Sequence, residues 1–250
     1  MSSPTSRTAI ITGAARGIGA ACAEAFAAAD WNVILVDRDS SELSTAAEAC
    51  GGRALTVVDD VTERGTNDAA VSLARERFQR LDAAVANAGA TLASSIDDTT
   101  DEDIERLVNV NLRAVILLGQ AVHSSLRRTS GSLLVMASKT GLVAQPDSPL
   151  YCATKGAAVQ LARALALDWA PEGIRVNALC PGIVATPMLD AYLDQLPDPA
   201  RARREFAAAQ PLGRLARPTE CAAAALFLAS PAASFITGVA LPVDGGFTAQ

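Results

Sequence analysis

The sequence has few charged and few aromatic side chains for its length of 250 residues. Charged residues make up 19% of the chain and aromatic residues 4%, whereas half of all residues are hydrophobic. Such a composition excludes an intrinsically disordered protein and is typical of a compact globular one. No repeat, low-complexity tract or linker divides the sequence, and the length suffices for one large core. We therefore predict a single domain over residues 1–250.

The sequence also lacks signals for binding metal, membrane or nucleic acid. Its five cysteines are scattered, with no C-x-x-C pair and no cluster around the single histidine, His123, so we expect reduced thiols and no metal site. A formal net charge of −6 argues against nucleic acid as a partner. No apolar run approaches the roughly 18 residues of a membrane helix, and the polar start MSSPTSR does not resemble a signal peptide. We therefore expect a cytoplasmic protein.

What the sequence does contain is a regular alternation of apolar runs and helical stretches. Seven runs are predicted to be strands, at residues 8–12, 31–38, 53–61, 81–89, 131–138, 174–182 and 238–246. Helical stretches separate them, including a long one at 99–123 and another at 152–170. Alternation at this spacing is typical of an α/β domain with a parallel sheet.

One long segment, residues 183–212, interrupts this alternation. It contains four prolines and is predicted to be irregular, with two short helical pieces. Insertions of this length in a compact domain often close over a substrate. We therefore expect a substrate lid here, with a merely covering loop as the alternative.

A glycine-rich turn follows the first predicted strand and precedes a helical run. It has the sequence TGAARGIG over residues 12–19, with the spacing G-x-x-x-G-x-G. Small residues at such a turn let the backbone approach a pyrophosphate at the N-terminus of a helix. The turn therefore predicts a dinucleotide site, although a turn that serves only helix packing would look the same. The predicted cofactor contacts are Gly13, Arg16, Gly17, Ile18 and Gly19.

The type of cofactor depends on the end of the second predicted strand. Asp37 lies there, twenty-four residues after Gly13. A carboxylate at this place accepts hydrogen bonds from the ribose hydroxyls of NAD and repels the 2′-phosphate of NADP. Arg16 and Arg38 lie nearby in the sequence and act in the opposite direction. We predict NAD, with NADP less favoured; a solvated carboxylate at the strand end is the alternative.

Tyr151 and Lys155 form a second candidate site in the helical stretch that follows Pro149. They lie four residues apart and share one helix face. A phenol titrates near pH 10, and a nearby ammonium lowers that pKa, so the tyrosine can exchange a proton with a substrate near neutral pH. Ser138 ends the fifth predicted strand and could hold a substrate oxygen beside the phenol. Such a pair also occurs by chance, so its weight depends on the remaining chain.

Polar residues at other strand ends and inside one helix are weaker candidates. Asp60 ends the third predicted strand and could contact adenine, and the turn at 87–89 could lie beside the cofactor. Asn111 is flanked by apolar residues and must find hydrogen-bond partners if it is buried. Taken singly, each of these residues is as readily a turn, a cap or a satisfied core group.

Taken together, these residues resemble the short-chain dehydrogenase/reductase family in its form of about 250 residues. The resemblance covers nearly the whole chain, and the motifs occur in family order and at family-like spacings. The residues that carry it are Thr12 to Gly19, Asp60-Val61, Asn87-Ala88-Gly89, Asn111, Ser138, Tyr151 to Lys155, Pro181-Gly182 and Asp244-Gly245-Gly246. One such motif is weak evidence, whereas this combination is highly specific.

The resemblance implies a Rossmann-type, doubly wound sheet of seven parallel strands with helices on both faces. It implies a catalytic set of four residues, Asn111, Ser138, Tyr151 and Lys155. Tyr151 would be the general base for alcohol oxidation and the general acid for carbonyl reduction, and Lys155 would lower its pKa and hold the nicotinamide ribose. Ser138 would orient the substrate oxygen, and Asn111 would hold a water that connects Lys155 to a proton path.

The resemblance also extends the predicted cofactor site and suggests an assembly. Further cofactor contacts would be Asp37, Arg38, Asp60, Val61, Asn87, Gly89, Tyr151, Lys155, Pro181, Ile183 and Thr186. Family members are commonly tetramers that pair through helices equivalent to 99–123 and 151–170, so a homotetramer is expected. Lys139, beside Ser138, adds a cation of unknown purpose, which we expect to be a solvated side chain.

Three functions are compatible with these residues. The first is an NAD-dependent dehydrogenase that interconverts a secondary alcohol and a ketone on a polyol, sugar or similar small polar molecule. The second is an NADPH-dependent 3-oxoacyl-[acyl-carrier-protein] reductase, against which Asp37 and the negative net charge argue, because acyl carriers are acidic. The third is a non-catalytic dinucleotide-binding regulator, which is disfavoured because such proteins usually lose the catalytic residues that are present here.

Overall fold

A computed structural model of the protein describes residues 6–249. The strands in this part of the chain are β1 Thr8–Thr12, β2 Asn32–Asp37, β3 Ala54–Val58, β4 Ala83–Ala86, β5 Ser132–Met136, β6 Arg175–Pro181 and β7 Ala240–Val243. They form one sheet in the order β3-β2-β1-β4-β5-β6-β7, and every strand runs parallel to its neighbours. The predicted doubly wound α/β sheet of seven parallel strands is confirmed, and each strand lies within its predicted run.

Helices cover both faces of this sheet. They are α1 Gly17–Ala28, α2 Ser40–Ala49, α3 Arg64–Phe78, α4 Asp101–Val108, α5 Ala114–Thr129, α6 Pro149–Trp169, α7 Pro187–Leu193, α8 Pro199–Ala208 and α9 Pro218–Ala229. Helices α1, α2 and α9 pack on one face, and α3, α5 and α6 pack on the other. Successive side chains of a strand point to opposite faces, so Ile11 packs into the first core and Ile10 into the second.

The central strands are apolar along their length because both of their faces are covered. All five residues of β1 and all five of β5 are buried. Burying an isoleucine or leucine side chain contributes about 1.5–3 kcal/mol, so these two short strands anchor the sheet. Strand β3, at one edge, has no fully buried residue.

The helix predicted at 99–123 is interrupted and longer than expected. It runs as α4, a five-residue π-helical segment at Asn109–Arg113, and α5, which continues to Thr129. Ser130, in the left-handed region with φ 50°, ends it. The apolar pattern predicts a helix but not the π segment, because a π turn inserts one residue without breaking the helix.

The helix predicted at 152–170 begins earlier, at Pro149. Proline suits the first helical position because its missing N–H would have no partner there. Tyr151 therefore lies in the first turn of α6 and Lys155 lies one turn further along. The predicted sharing of one helix face is confirmed by this placement.

Residues 183–212 contain α7 and α8, the two short helical pieces that the sequence predicts. The start of the segment is tied to the residues that precede α9, because Val184 forms an isolated parallel bridge with Ala216. Its action as a substrate lid stays a prediction.

Two features that the described residues lack bear on function. Within residues 6–249, no helix has the length and apolar character that crossing a bilayer requires. The same residues contain no group of three or more His, Cys, Asp or Glu side chains placed to hold a metal ion.

Candidate active site

The predicted site residues meet at one edge of the sheet. Carboxyl ends of parallel strands lie at the same edge, and ligands of open α/β sheets bind there, where the strand order reverses. That point lies between β1 and β4, which are neighbours although β2 and β3 come between them in the chain. The residues that end or follow strands at this edge include Thr12, Gly13, Asp37, Asp60, Asn87, Ser138, Pro181 and Asp244.

The glycine-rich turn after β1 has no room for side chains at three positions. A Cβ on Gly13, whose φ is +64°, would stand 2.8 Å from the Cα of Ala88. A Cβ on Gly19 would stand 2.0 Å from the carbonyl oxygen of Gly13. Gly17, with φ +60°, would bring its Cβ to 3.3 Å from the Cγ2 of Thr186. The turn is thus closely packed against β4 and against the start of α7.

Asn87 holds this turn in place through its side-chain amide. The Nδ2 group donates to the carbonyl oxygens of Thr12 (2.9 Å) and Gly13 (3.0 Å). In return, the hydroxyl oxygen of Thr12 accepts from the backbone N–H groups of Asn87 (3.0 Å) and Ala88 (3.2 Å). Both amide hydrogens of Asn87 are therefore used within the protein, and this side chain positions the turn.

The start of α1 and the end of β2 together suit the phosphates and the ribose of a dinucleotide. Arg16, which precedes α1, makes no side-chain cap, so the first N–H groups of the helix are not covered by it. Asp37 accepts hydrogen bonds from Ala15 N through Oδ2 and from Asp39 N through Oδ1, both at 3.1 Å. A carboxylate has acceptor sites beyond these two, so Asp37 fits the ribose role that the sequence predicts. Arg16 and Arg38 are both exposed at this end of the sheet.

Asp60, the predicted adenine contact, and Val61, a further predicted cofactor contact, are held by the protein itself. The Oδ1 atom of Asp60 accepts from both the N–H and the hydroxyl of Thr62, each at 2.8 Å. These bonds, with a smaller contribution from the Arg38 charge, hold the pKa of Asp60 below its ordinary value. The side chain of Val61 is buried in the core. A cofactor could therefore be contacted here only by oxygen atoms of this turn other than Asp60 Oδ1.

The end of β6 is organised by Gln210, a residue that no sequence motif marks. Gln210 is 1% exposed, and its Oε1 accepts from Ile183 N at 2.9 Å. Its Nε2 donates to the carbonyl oxygens of Ile183 (3.2 Å) and Arg214 (2.7 Å). Thr186 caps α7 by accepting from Leu189 N. The predicted contact Ile183 is thus fixed by a side chain 27 residues further along, whereas Thr186 is held by its capping of α7.

Ser138, which follows β5, and Tyr151, in α6, lie close enough for the serine hydroxyl to lower the pKa of the phenol. The Oγ of Ser138 also accepts from the backbone N–H (3.2 Å) and the hydroxyl (3.0 Å) of Thr140. Thr140 is buried, so these bonds fix the direction of the serine hydroxyl. The structure therefore brings together the serine and the tyrosine that the sequence pairs.

Lys155 is buried beneath Tyr151. Its amino group donates to the carbonyl oxygen of Met136 at 2.9 Å and lies 5.9 Å from the centroid of the Tyr151 ring. A Cβ on Gly89 would stand 3.4 Å from this amino group and 3.4 Å from the Oδ1 of Asn111. Asn111 and Lys155 thus flank the same glycine.

The protonation of this pair differs from the expectation. Burial raises the pKa of Tyr151 above its ordinary value, and the hydrogen bond with Ser138 opposes that rise. Burial lowers the pKa of Lys155 to about 8. The expected lowering of the tyrosine pKa by Lys155 is not found in the protein alone, where desolvation is the largest influence on the phenol. A lowered pKa requires further charge or hydrogen bonding at the phenol.

Asn111 lies in the π segment and is 1% exposed. Its Oδ1 accepts from Ala90 N at 2.8 Å, and its Nδ2 donates to the carbonyl oxygen of Ala90 (2.9 Å) and to Thr154 Oγ1 (3.1 Å). The asparagine is therefore satisfied within the protein, and it ties the loop after β4 to α6. π turns are frequent at functional sites because they redirect a side chain.

The expectation that Lys139 is a solvated side chain is wrong. Only 5% of the residue is exposed. Its amino group donates to Gln145 Oε1 at 3.0 Å and lies 3.5 Å from the centroid of the Phe247 ring. The error has a clear cause: Phe247 is more than one hundred residues away in the sequence, and no local pattern places it over Lys139.

Comparison with known proteins gives one family and several relatives. Residues 13–248 match a family model described as enoyl-(acyl carrier protein) reductase. L-fucose dehydrogenase from Oryctolagus cuniculus is 40% identical over 95% of this chain and 83% of its own length. Cis-4-hydroxycyclohexanecarboxylate dehydrogenase from Sinomonas cyclohexanicum is 39% identical over 97% of each chain.

A solved structure also matches closely. It is 3-ketoacyl-(acyl-carrier-protein) reductase from Brucella melitensis, complexed with NADH, with a TM-score of 0.91 and 36% identity. The match covers 98% of this chain and all of that one. Sequence and structural likeness therefore extend over the whole sheet and its active edge.

Proposed function

The chain belongs to the short-chain dehydrogenase/reductase family of oxidoreductases, and we propose that it is an NAD-dependent dehydrogenase. The reaction would interconvert a secondary alcohol and a ketone on a polyol, a sugar or another small polar hydroxy compound. The observation that carries this proposal is that Ser138, Tyr151 and Lys155 lie close to one another at the sheet edge that also holds the glycine-rich turn, a feature typical of dinucleotide sites. The sugar and hydroxy-acid dehydrogenases among its relatives agree with it.

In this proposal Ser138 and Tyr151 hold the substrate oxygen between them. The serine hydroxyl has its direction fixed by Thr140, so it can donate to that oxygen. The phenol takes the hydroxyl proton in alcohol oxidation and returns it in ketone reduction. When bound, the nicotinamide supplies the hydride chemistry. The protein supplies position and proton transfer.

The proposed proton route leads from Tyr151 towards Asn111. Lys155 has a pKa of about 8, so it can exchange a proton near neutral pH. Its amino group and Asn111 Oδ1 lie on either side of Gly89. A water held by Asn111 would continue this route, which is the role that the family resemblance implies.

Asp37 supports NAD over NADP. Its carboxylate lies at the end of β2 and is fixed by Ala15 N and Asp39 N. A fixed negative charge disfavours the 2′-phosphate of NADP. The NADH in the solved relative agrees with this preference.

A second candidate is an NADPH-dependent 3-oxoacyl-[acyl-carrier-protein] reductase. The exposed Arg38 beside Asp37 and the name of the solved relative favour it. The formal net charge of −6 counts against it, because the carrier protein is acidic. A non-catalytic regulator is disfavoured because all four proposed catalytic residues are in place.

Initial rates with each cofactor separate these functions. The substrates are secondary alcohols, polyols and sugars with NAD⁺ and NADP⁺, and β-ketoesters with NADH and NADPH, followed by nicotinamide absorbance. We expect turnover on one alcohol group with NAD⁺. Activity confined to β-ketoesters with NADPH would favour the reductase. Binding of NADH without turnover of any substrate would favour the regulator.

We also propose a homotetramer, built through α5 and α6 and through the region of α9. Large apolar side chains remain exposed there: Ile116 and Leu167 on the first pair of helices, and Phe227 and Phe235 at the end of α9. Exposed apolar clusters of this kind mark association surfaces. Light scattering after size-exclusion chromatography would give about four times the chain mass of 25.7 kDa if the proposal is right.

A further inference from the structure

Lys139 is a buried cation that directly follows the proposed catalytic serine, Ser138, in the chain. It lies close enough to Cys152, the neighbour of Tyr151, for the electrostatic interaction between them to raise the lysine pKa, although the larger effect of burial lowers it. Its amino group is enclosed by Gln145 from the loop between β5 and α6 and by Phe247 from the end of the chain. The loop after β5 and the end of the chain thus enclose this ammonium from two directions of the sequence.

This ammonium has no anionic partner within residues 6–249. No carboxylate of that part of the chain lies within 4.0 Å of it. The negative charge of Asp244 raises the pKa of Lys139 without forming an ion pair with it, and its carboxylate accepts from Gly246 N, Thr248 N and the Thr248 hydroxyl in its own turn. An ammonium has three donor hydrogens, and only one has a hydrogen-bonded acceptor here.

An unpaired buried charge is unfavourable unless a partner completes it. Gln145 is a weak partner because its amide oxygen carries only a partial charge. Gln145 is also exposed, so its side chain can turn away into solvent without moving the backbone. The Phe247 ring screens the other side of the ammonium from water, which strengthens its attraction for an anion.

We propose that Lys139 binds the carboxylate of the substrate, which takes the place of Gln145 Oε1, so that the enzyme acts on secondary hydroxy acids. This inference rests on the proposed dehydrogenase function and narrows it. Ser138 and Lys139 are neighbours in the chain, so one short segment would hold the reacting oxygen and the carboxylate. The substrate is then a small molecule with both groups within a few bonds of each other.

The test compares each acid with its neutral ester. The probes are 3-hydroxybutanoate, 4-hydroxypentanoate and 4-hydroxycyclohexanecarboxylate, each beside its methyl ester, with NAD⁺. We expect the wild type to prefer at least one acid over its ester. Lys139→Gln should lower kcat/KM for that acid by about tenfold or more through KM, while ester rates change less than about twofold. Lys139→Arg keeps the charge and should recover most of the loss.

Two results would overturn the inference while the dehydrogenase function stands. One is a wild type that turns over the esters but not the acids. The other is a Lys139→Gln variant that loses acid and ester activity equally, because that outcome assigns Lys139 a purely structural role under Phe247. The wild-type preference remains decisive if Lys139→Gln does not fold.

A binding measurement covers the case in which no alcohol is oxidised. Calorimetry with NADH present would compare cyclohexanecarboxylate with cyclohexanecarboxamide on the wild type and on Lys139→Gln. If the wild type binds the carboxylate and the variant does not, the anion site is supported. Since no alcohol is oxidised in this case, the dehydrogenase function is then the only part of the proposal that fails. Equal binding of acid and amide, or equal binding by both proteins, would reject the anion site.

Discussion

The two halves of the active edge are built in different ways. In the first half, at Thr12 to Gly19 and Asn87, polar side chains are used in hydrogen bonds to the backbone. In the second half, Ser138 to Tyr151 with Phe247, the Lys139 ammonium has no anionic partner within residues 6–249, and an exposed loop covers it. In the first half, the polar side chains already have partners within the protein, as expected of a surface that binds the same cofactor in every reaction. In the second half, the Lys139 ammonium gains an anionic partner only when the substrate carboxylate binds, as expected of a site that selects the substrate.

The largest expected effect comes from a substitution in the second half of the active edge, which should lower kcat without weakening cofactor binding. Tyr151→Phe removes the phenol oxygen that exchanges the proton, so kcat should fall by about 10³-fold. The dissociation constant of NADH, measured by fluorescence titration, should change less than about twofold.

Tyr192→Phe is the matched control. Tyr192 stacks on Phe206 in the segment 183–212, with ring centroids 6.1 Å apart, and its loss should leave kcat nearly unchanged. Activity retained in Tyr151→Phe would remove the proposed proton transfer from this residue.

A glycine substitution tests the close packing of the turn in the first half of the active edge. In Gly19→Ala the added Cβ meets the Gly13 carbonyl at 2.0 Å, so the turn must shift. We expect a loss of about 1–3 kcal/mol in the free energy of unfolding and weaker NADH binding. Gly65→Ala, in α3, has open space around its Cβ and should be neutral or slightly stabilising. Urea denaturation of the two variants gives the comparison, and equal stability would contradict the close packing of the turn.

A substitution at Asp37 tests how the first half of the active edge selects between NAD and NADP. Asp37→Asn keeps the shape of the side chain but removes its charge. The ratio of kcat/KM for NADP⁺ to that for NAD⁺ should rise by about tenfold or more, because like charges at this site cost free energy. Asp39→Asn is the control, since Asp39 caps α2 and should leave the ratio unchanged. An unchanged ratio in Asp37→Asn would move the selector to another residue.

The smallest expected effect is a pH dependence of stability that comes from Lys155. Its pKa of about 8 lies below the ordinary value of 10.5, so the unfolded chain binds more protons between these values. Stability attributable to this group therefore rises with pH from about 8 to 10.5. Relative to Lys155→Met, the wild type should gain at most about 1 kcal/mol between pH 7.5 and 8.5 in urea denaturation. A constant difference between the two proteins would mean that Lys155 titrates normally.

The same contrast explains what the sequence could predict. The seven strands and the glycine-rich turn are local patterns, and the structure contains them where they were expected. Tyr151 and Lys155 lie on one helix, so their shared face follows from spacing alone.

The second half depends on contacts between distant segments. Lys139 was expected in solvent, and only the fold places Phe247 over it. Gln210 carries three hydrogen bonds at the end of β6, yet nothing near it in the sequence indicates this. The pKa of Tyr151 also could not be predicted from spacing, since it depends on burial.

The π segment at Asn109–Arg113 has a consequence for how this site can change over generations. A π turn holds one residue more than an α turn, so a single-codon deletion there would leave a continuous helix. That deletion would leave the flanking α4 and α5 in nearly their present orientation and would redirect the side chains within the turn itself. Asn111 would then no longer reach Ala90 and Thr154 together. Insertion and deletion variants, which substitution scans omit, are therefore the direct probe of how this asparagine is placed.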